Sequence, residues 1–449
     1  MKKEFVNNLN YNKLPSLANY YLKTKSKDIF IEPSLNISEI PKFSDMIPFL
    51  YKLLDREELL GIWLKGFPFC VLSSNAYDHI LIDEDKIKGE KTKKCQNCKF
   101  FKDCYGFPHG YFKKYGDKEI EPILDIPEEI MIELEPQCNF KCQFCFNKMS
   151  FAAMGRNMER LSKSYVKRII NSAKKAKIKT VRFTGGEPLI YPGIIELMKY
   201  AKRKGMEVRL NTNGSLVDIE MARKFQGVVD NILIPIESWS NTKEEKITGY
   251  KNALEKKIEV IKILKNVKIP VVRIGTVATR DNIKDFNKIY NLIQDLPVDE
   301  WELYRPVLAS SELTRNDIEV LLLKIKKTRR KAIFPISLAN AIPFCAVKNP
   351  NEMNSMSSGA LYDEGHRRMV VDVRGFVKPH YFIDKNVGNP FDILSAWNHP
   401  FMKKMRNLKF LPHICKKCNF KYKCRGGSRH LAYLSGKKYN SPDPLQNYE

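Results

Sequence analysis

Three cysteines of this 449-residue chain stand close enough in sequence to hold a metal cluster together. The segment Cys138-Asn-Phe-Lys-Cys142-Gln-Phe-Cys145 has Cys-x3-Cys-x2-Cys spacing and follows a run that is typical of a β-strand. Three thiolates in so short a loop can ligate three irons of a [4Fe–4S] cluster, which leaves the fourth iron free to bind a substrate. A structural zinc site ordinarily takes four protein ligands, and the sequence offers no obvious fourth nearby.

The other eight cysteines form two groups that repeat each other. Each group has a Cys-x2-Cys-x5-Cys-x-Gly segment and one distant cysteine within a Pro-Phe-Cys tripeptide. Four thiolates can ligate every iron of a [4Fe–4S] cluster, so each group predicts an auxiliary cluster. The expected ligands are Cys70, Cys95, Cys98 and Cys104 in the N-terminal group, and Cys345, Cys415, Cys418 and Cys424 in the C-terminal group.

The cysteine count favours metal binding over disulfides. The three groups use all eleven cysteines, an odd number that fits poorly with a disulfide framework. Clustered cysteines in a cytosolic protein are typical of metal or redox sites. Zinc stays open as the alternative for the N-terminal group, because structural zinc sites of four cysteines use similar pairs.

Composition and charge limit the classes of protein to which the chain can belong. With 43% hydrophobic residues the chain is not mostly disordered, and no apolar run approaches the ~18 residues of a membrane span. The N-terminus lacks the apolar core of a signal peptide, so we expect a cytoplasmic protein. The net charge of +26 favours anionic partners such as nucleic acid, although scattered lysines give no distinct stripe.

An alternation of strands and helices must position the central cysteines. Strands are predicted at 130–135, 179–183, 207–211, 231–236, 270–276 and 300–304, with helices at 162–177, 192–204, 218–225, 252–266 and 283–295. Six strands with intervening helices indicate βαβ units and a parallel α/β sheet. A Lys/Arg-rich helix follows at 312–331, and its charges suit a solvated face.

The predicted domains follow from this alternation. Residues 1–125 are expected to form a small irregular and helical domain with the N-terminal four-cysteine unit. Residues 126–310 carry the strand–helix alternation. Residues 311–449 are expected to form a helical linker and a second small cysteine-rich cluster domain.

Motifs in a fixed order resemble those of radical S-adenosylmethionine (SAM) enzymes with a C-terminal SPASM/Twitch-like cluster domain. After the cysteine loop come Gly185-Gly186-Glu187-Pro188 and Asn211-Thr212-Asn213-Gly214, each at the end of a predicted strand. Two later stretches, 271–275 and 301–305, resemble the last strands of that family. The end of the chain, Cys424-Arg425-Gly426-Gly427 with Asp443-Pro444 beyond it, resembles the SPASM/Twitch ending. The resemblance implies a partial (β/α)6 TIM-like barrel.

The resemblance also implies how SAM is held. The free iron would chelate the amino and carboxylate groups of SAM, and two glycines would let the backbone approach the ligand. Glu187 would accept a charge-assisted hydrogen bond from the methionine ammonium. Arg273 would pair with the SAM carboxylate or, alternatively, with a structural Asp or Glu. The implied cofactor-binding residues are Phe144, Gly185, Gly186, Glu187, Pro188, Asn211, Asn213, Ser238 and Arg273.

The sequence departs from the family pattern at three places. Where a full SPASM domain carries cysteines for a second auxiliary cluster, this chain has His380 and Ser428, so we expect one C-terminal cluster. His380 is an alternative to Cys345 as its fourth ligand, although a lone histidine is more often structural. The Ser-x-Asp pattern of the fourth strand appears as Pro235-Ile236-Glu237, which puts a ribose contact there in doubt.

As implied by the family, reductive cleavage of SAM yields methionine and a 5′-deoxyadenosyl radical that abstracts hydrogen from a substrate carbon. This chemistry needs an external reductant such as ferredoxin or flavodoxin. The first substrate hypothesis is a peptide or protein side chain, which is oxidised or cross-linked.

Three other hypotheses remain. One is a small molecule such as a cofactor precursor, carbohydrate or lipid. A second is tRNA, prompted by the charge but without a recognisable RNA-binding module. The third is a non-enzymatic iron–sulfur electron carrier. The motif at 185–188 weighs against it, because an electron carrier would not need that motif.

Overall fold

The computed structural model describes residues 2–7, 10–17, 28–34, 36–54, 61–72, 76, 79–80, 89–145, 147, 160–307 and 313–446. The chain divides into two compact units, Met1–Asp125 and Ile126–Glu449. The division of the second unit at residue 310 stays a prediction. No helix within the described ranges is long and apolar enough to cross a membrane.

The first unit contains a small parallel sheet. Its strands are β1 (Lys2–Val6), β2 (Asp28–Pro33) and β3 (Gly61–Leu64), in the order β1-β2-β3. Helices α1 (Phe43–Leu54) and α2 (Tyr111–Tyr115) complete it, with 3₁₀ turns at Tyr11–Lys13, Phe69–Val71 and Lys93–Asn97.

The sequence analysis expected this unit to be irregular and helical, and that expectation missed the sheet. The three strands are short, and only alternate residues such as Ile29 and Ile31 are buried in the core. So brief an alternation does not stand out from a turn-rich sequence.

The second unit is built on a mostly parallel sheet. Its strands are β4 (Glu129–Glu135), β5 (Thr180–Gly185), β6 (Glu207–Asn211), β7 (Asn231–Pro235), β8 (Val271–Val277) and β9 (Glu300–Tyr304), which lie side by side in chain order and run parallel. The predicted α/β fold and its six strands are confirmed.

Three short strands that the sequence did not reveal extend this sheet at both edges. Strand β10 (Ile336–Leu338) pairs with β9. On the opposite side, β11 (Arg368–Val371) pairs parallel to β4, and β12 (Val377–Lys378) pairs antiparallel to β11. The β11–β12 hairpin therefore lies next to the strand that leads into the central cysteine loop.

Helices follow most strands of the second unit. They are α3 (Lys163–Lys175), α4 (Ile194–Arg203), α5 (Ile219–Phe225), α6 (Asn241–Thr248), α7 (Ala253–Asn266), α8 (Arg280–Lys284), α9 (Phe286–Gln294), α10 (Arg315–Arg329), α11 (Pro350–Met356), α12 (Ile393–Trp397), α13 (Pro400–Arg406), α14 (His413–Lys416), α15 (Lys421–Cys424) and α16 (Arg429–Gly436). The helix predicted at 283–295 is two helices that meet at Asp285, and α6 was not predicted.

The two faces of the large sheet differ in polarity. Alternate residues of β4, such as Ile130 and Ile132, pack with helix residues such as Val166 in the main core. The intervening positions of the strands form the opposite face, which we call the polar face. It includes Glu129, Glu133, Arg182, Arg209, Arg273 and Glu302.

The sheet curves around this polar face. Strands β5 and β9 are four strands apart, which in a flat sheet is about 19 Å at the usual strand spacing. Burial lowers the pKa of Arg182, but the charges of Glu129 and, more weakly, Glu302 on β9 raise it above its usual range. Curvature therefore brings opposite parts of the sheet within electrostatic reach of each other.

Candidate active site and metal centres

The three central thiols lie together beyond the carboxyl end of β4. Burial raises the pKa of Cys142 to about 12, the nearby thiols of Cys145 and Cys138 add to the rise, and Lys257 opposes it. Burial also raises the pKa of Cys138, with Cys145 contributing. Thiols that act on one another in this way fit the three-ligand set of a [4Fe–4S] cluster, which would hold them as thiolates.

The loop that carries these thiols is anchored to the end of α6. The backbone N–H of Lys141 donates to the Thr248 carbonyl oxygen at 2.7 Å, and that of Gln143 donates to the Ile247 carbonyl oxygen at 3.0 Å. The Phe140 ring stacks on Tyr250 with 4.5 Å between ring centroids. Backbone hydrogen bonds and one aromatic contact thus fix the loop.

A buried ion pair supports the same loop. The Lys257 ammonium lies 2.6 Å from a Glu244 carboxylate oxygen, and both side chains are buried. The ammonium also lies 5.4 Å from the centre of the Phe140 ring, within the range of a cation–π contact. The sequence analysis missed this pair, because Lys257 and Glu244 resemble ordinary surface residues of charged helices.

Gly185 and Gly186 pack against the stem of the cysteine loop. A Cβ at Gly185 would lie 2.6 Å from the Glu135 carbonyl oxygen, and one at Gly186 would lie 2.2 Å from the Gln137 carbonyl oxygen. The N–H of Gly186 donates to the Glu135 carbonyl oxygen at 2.6 Å. Glycine is therefore required here by the chain's own backbone, whereas the sequence analysis gave the approach of a ligand as the reason.

Glu187 joins the glycine turn to the end of β6. Its carboxylate accepts hydrogen bonds from the Thr212 hydroxyl at 2.7 Å and from the backbone N–H groups of Asn213 and Leu189 at 2.8 and 3.0 Å. Burial raises the pKa of Glu187 to about 7, although these hydrogen bonds oppose the rise. Pro188 then begins a short 3₁₀ helix that Glu187 caps. The predicted hydrogen bond from the methionine ammonium to Glu187 stays a prediction.

Asn213 connects this turn with the first thiol. Its side-chain amide lies 3.8 Å from the Cys138 sulfur and donates to the Asn139 side-chain oxygen at 2.8 Å. Since the Asn213 backbone also contacts Glu187, the structure brings together Cys138, Glu187 and Asn213 of the predicted site residues. Phe144 lies half-buried between the second and third thiols.

The remaining predicted SAM contacts lie in other environments. Asn211 accepts a hydrogen bond from Arg182 at 3.0 Å on the polar face. Arg273 pairs with Glu302 at 2.5 Å and donates to the Asn231 side-chain oxygen, so it has the structural carboxylate partner that the sequence analysis left as an alternative. Ser238 is buried and accepts from the N–H of Ser240 at 3.3 Å.

Glu237, at the place of the altered Ser-x-Asp pattern, also contacts the protein itself. Its carboxylate accepts from the backbone N–H of Val277 at 2.8 Å. Burial raises its pKa to about 8, Glu244 adds to the rise, and Lys257 opposes it.

The polar face also holds a buried carboxylate, Glu133, that is not evident from the sequence. Glu133 of β4 is fully buried, and neither of its carboxylate oxygens has a hydrogen-bond partner among the described residues. Burial raises the pKa of Glu133 to about 7, while Lys378 of the β11–β12 hairpin opposes the rise and Asp372 adds to it. A buried unpartnered carboxylate is costly unless something else satisfies it.

The arginines of the polar face, in contrast, are paired. Arg182 makes a bidentate contact with Glu129 at 2.9 Å, and Arg209 contacts the same carboxylate at 3.1 Å. Arg368 approaches Glu129 and Asp363 at 3.7 Å each. The burial of Glu129 would raise its pKa, but these arginines hold it at about 2. Within the described part of this face, each arginine therefore has a carboxylate partner.

The four C-terminal thiols lie near enough to influence one another's pKa. Burial raises the pKa of Cys424 to about 12, the N–H of Phe344 opposes the rise, and Cys345 and Cys418 add to it. Cys345 and Cys418 also raise the pKa of Cys415, behind burial as the main cause. Four neighbouring thiols would fit the ligand set of a [4Fe–4S] cluster with no open iron, which stays a prediction.

His380 is bound elsewhere. Its Nε2 lies 3.0 Å from an Asp363 carboxylate oxygen, and burial lowers its pKa while Asp363 opposes that change. Of the two candidates for fourth ligand, Cys345 is the one that acts on the other C-terminal thiols.

The N-terminal thiols surround a pocket in the first unit. Cys70, Cys95, Cys98 and Cys104 line it together with Phe69 and Phe101. Burial raises the pKa of Cys70 to about 12, and the other three thiols add to the rise. The described residues include no three Cys, His, Asp or Glu side chains placed to hold a single metal ion, either here or in the other two groups.

These features combine a mostly parallel α/β sheet with a three-cysteine loop beyond the carboxyl end of β4. A family model of the radical SAM superfamily matches residues 132–293. Residues 132–293 therefore form a radical SAM domain, and the protein is a radical SAM enzyme.

Curated relatives include enzymes with different substrates. The chain is 29% identical over 310 residues to a probable GTP 3′,8-cyclase from Saccharolobus solfataricus, a match that covers 66% of this chain and 97% of the relative. It is 22% identical over 339 residues to PqqA peptide cyclase from Bradyrhizobium diazoefficiens, covering 71% and 86%.

Solved structures share the fold. Streptococcus suis SuiB superposes with a TM-score of 0.58 at 18% identity, covering 72% of this chain and 78% of SuiB. The complex of anSMEcpe with AdoMet and the Kp18Cys peptide superposes with a TM-score of 0.54 at 17% identity, covering 70% and 91%.

Proposed function

We propose that this radical SAM enzyme acts on a peptide or protein side chain, which it oxidises or cross-links. When bound, SAM and its [4Fe–4S] cluster supply a 5′-deoxyadenosyl radical that abstracts hydrogen from a substrate carbon. The chain's own residues bind, orient and enclose the reactants. The observation that carries the choice of substrate is the charge pattern of the polar face.

The proposed cluster ligands are Cys138, Cys142 and Cys145. Asn213 is the best placed of the predicted SAM contacts, because its side chain reaches Cys138 and its backbone is held by Glu187. The glycine turn sets the position of the loop stem, so its effect on SAM is indirect. Phe144, Pro188 and Ser238 are also proposed to contact SAM. Arg273 and Asn211 bond to other residues of the protein, so we propose that they shape the polar face instead.

A nucleoside triphosphate such as GTP carries several negative charges. It would require cations on the polar face that are not already paired with carboxylates. There the described arginines pair with Glu129, Glu207, Glu302 and Asp363, which balance their charge. Neither carboxylate oxygen of Glu133 has a hydrogen-bond partner among the described residues. Such a face favours a substrate that brings a hydrogen-bond donor or a positive charge, such as a peptide N–H, hydroxyl, ammonium or guanidinium group. We propose that this donor binds Glu133.

The named relatives support both a peptide and a nucleotide. PqqA peptide cyclase and the peptide complex of anSMEcpe support the first. The probable GTP 3′,8-cyclase, at higher identity, supports a small-molecule substrate as the second candidate. The neutralised arginines are the reason to place the peptide first.

We further propose that Cys345, Cys415, Cys418 and Cys424 hold an auxiliary [4Fe–4S] cluster, as expected for a SPASM/Twitch-like domain. The N-terminal donor set by itself suits either a second auxiliary cluster or zinc. We also propose that an external reductant such as ferredoxin or flavodoxin supplies the electrons, and that the protein is cytoplasmic.

The test compares substrates in one assay. The anaerobically reconstituted enzyme is given SAM and reductant with short peptides encoded beside its gene, with GTP, or with neither, and 5′-deoxyadenosine and product masses are measured. We expect a peptide to stimulate 5′-deoxyadenosine formation and to lose hydrogen mass, and GTP to have no effect. Conversion of GTP without any peptide response would overturn the proposed substrate class.

A further inference from the structure

The two outer cysteine groups share one backbone arrangement, although they lie in different units of the chain. In the N-terminal group, the N–H of Cys98 donates to the Cys95 carbonyl oxygen at 2.9 Å. In the C-terminal group, the N–H of Cys418 donates to the Cys415 carbonyl oxygen at 3.2 Å. The first two ligands of each group are therefore presented by the same tight turn.

The third cysteine of each group is held in the same way. The N–H of Cys104 donates to the Phe100 carbonyl oxygen at 2.7 Å, and that of Cys424 donates to the Phe420 carbonyl oxygen at 2.8 Å. Two residues later each chain has a glycine with left-handed backbone, with φ of 83° in one group and 74° in the other. Glycine adopts this conformation at little cost.

The distant cysteine also has matching surroundings. Pro68 and Pro343 have nearly the same dihedral angles, φ −68° with ψ 138° and φ −66° with ψ 133°, and each precedes a 3₁₀ turn that contains the cysteine. The N–H of Phe344 donates to the Cys424 sulfur at 3.4 Å, and the N–H of Phe69 donates to the Cys104 sulfur.

Each group also contains a contact between two phenylalanine rings. Phe69 stacks on Phe100 with ring centroids 4.0 Å apart, and Phe344 meets Phe420 edge-on with centroids 5.6 Å apart. The second phenylalanine of each contact, Phe100 or Phe420, stands two residues after the second cysteine of its group. Equal spacing, hydrogen bonds and aromatic contacts indicate two copies of one metal-binding fold.

We propose that the N-terminal unit is a second copy of the C-terminal cluster site and binds a [4Fe–4S] cluster through Cys70, Cys95, Cys98 and Cys104. This inference rests on the proposed C-terminal cluster. It assigns a site that the radical SAM match, which begins at residue 132, does not include. With four thiolates the cluster has no open iron, so it carries electrons and does not bind substrate.

The pocket favours a cluster over zinc. A zinc ion binds sulfur at about 2.3 Å, so its four sulfurs must converge within about 4 Å of one another. Among the described residues no three Cys, His, Asp or Glu side chains are placed to hold a single ion, whereas all four cysteines line one pocket, as the ligands of a larger cluster would. The N–H groups of Phe69 and Gly106 point at the Cys104 sulfur, the latter at 3.4 Å, and such donors stabilise the negative charge of ligand sulfurs.

The test removes each copy separately in the full chain. Iron, sulfide and zinc are counted in the reconstituted wild type, in the variant Cys95→Ser/Cys98→Ser/Cys104→Ser, and in its matched counterpart Cys415→Ser/Cys418→Ser/Cys424→Ser. Three clusters require about twelve irons in the wild type, and each variant should lose about four of them. Both variants should keep the spectral response of the central cluster to SAM.

Each outcome decides between cluster and zinc. Loss of about one zinc instead of four irons from the N-terminal variant, or an unchanged iron count, would overturn the inference. If that variant does not fold, the wild type decides, because about eight irons with one zinc contradict the second copy. A normal iron count without any response to SAM would refute the proposed function and leave the inference intact.

Discussion

The Arg305 guanidinium lies 2.8 Å from a carboxylate oxygen of Asp443, and both side chains are almost completely buried. Arg305 directly follows β9, whereas the same Asp443 oxygen accepts from the N–H of Ser428 at 2.7 Å, four residues after the last cysteine. A Cβ on Gly427 would lie 2.5 Å from that oxygen. The ion pair therefore connects the end of β9 with the segment that follows the last C-terminal cysteine.

Replacing Asp443 should damage both stability and the C-terminal cluster. Asp443→Ala leaves a buried guanidinium without its carboxylate, which typically costs about 3–5 kcal/mol. We expect a lower free energy of unfolding and loss of about four irons. The exposed Asp295→Asn serves as control in the same urea titration and iron assay. An Asp443→Ala protein with normal stability and normal iron content would contradict the role of this pair.

The glycine turn is expected to act through the loop stem. Gly186→Ala places a Cβ 2.2 Å from the Gln137 carbonyl oxygen, so the backbone between β4 and the first thiol must move. We expect weaker SAM binding and a disturbed central cluster, measured by the electron paramagnetic resonance change on titration with SAM.

Gly227→Ala is the control for this substitution, because nothing lies within 4 Å of its added Cβ. Its positive φ alone costs about 1–2 kcal/mol. If both variants bind SAM like the wild type, close packing at the loop stem does not govern the site.

Glu133 should make stability fall as pH rises. Its pKa is about 7 in the folded protein and about 4.5 in the unfolded chain, so folding favours the protonated form. The stabilisation is complete below pH ~4.5 and is lost as pH rises through ~7.

Glu133→Gln carries no charge at any pH, so its stability relative to the wild type should be greater at pH 8.5 than at pH 5. The difference is of order 3 kcal/mol at most, taking ~1.4 kcal/mol per pKa unit. Urea titrations at both pH values measure it, with the exposed Glu259→Gln as control. A wild type that gains stability over the variant between pH 5 and 8.5 would contradict the predicted sign.

The same substitution should reduce activity despite the gain in stability. If Glu133 binds a donor group of the substrate, Glu133→Gln should raise KM for the peptide by about 10-fold or more, the value of one charge-assisted hydrogen bond. Formation of 5′-deoxyadenosine without peptide should be unchanged, as in Glu259→Gln. An unchanged KM would show that this carboxylate is not part of the substrate site.

The sequence predicted the six parallel strands because hydrophobic periodicity is a local property. The three cysteine groups, inferred from spacing, stay predictions. The sequence did not predict the β1–β3 sheet or the β11–β12 hairpin, because these strands lie outside the regular strand–helix alternation of residues 128–304. Glu133 was overlooked for a different reason: the alternation of residues 129–135 shows which side chains share a face, but not which of them lacks a partner. Partners such as Asp372 and Lys378 come from distant parts of the chain.

The glycines show a second limit of local reasoning. The sequence indicated that 185 and 186 must be small, but only the structure shows that the loop stem occupies the adjacent space. Likewise, the alternatives for Arg273 were a ligand or a protein carboxylate, and the partner Glu302 lies on the neighbouring strand.

The most direct measurement is the response of the central cluster to SAM. The oxygen-free, reduced wild type should change its cluster spectrum when SAM is added and should form 5′-deoxyadenosine only with reductant. Cys142→Ala should do neither, while it keeps the irons of the outer groups. A wild type with its cluster in place that neither responds to SAM nor cleaves it would contradict the account.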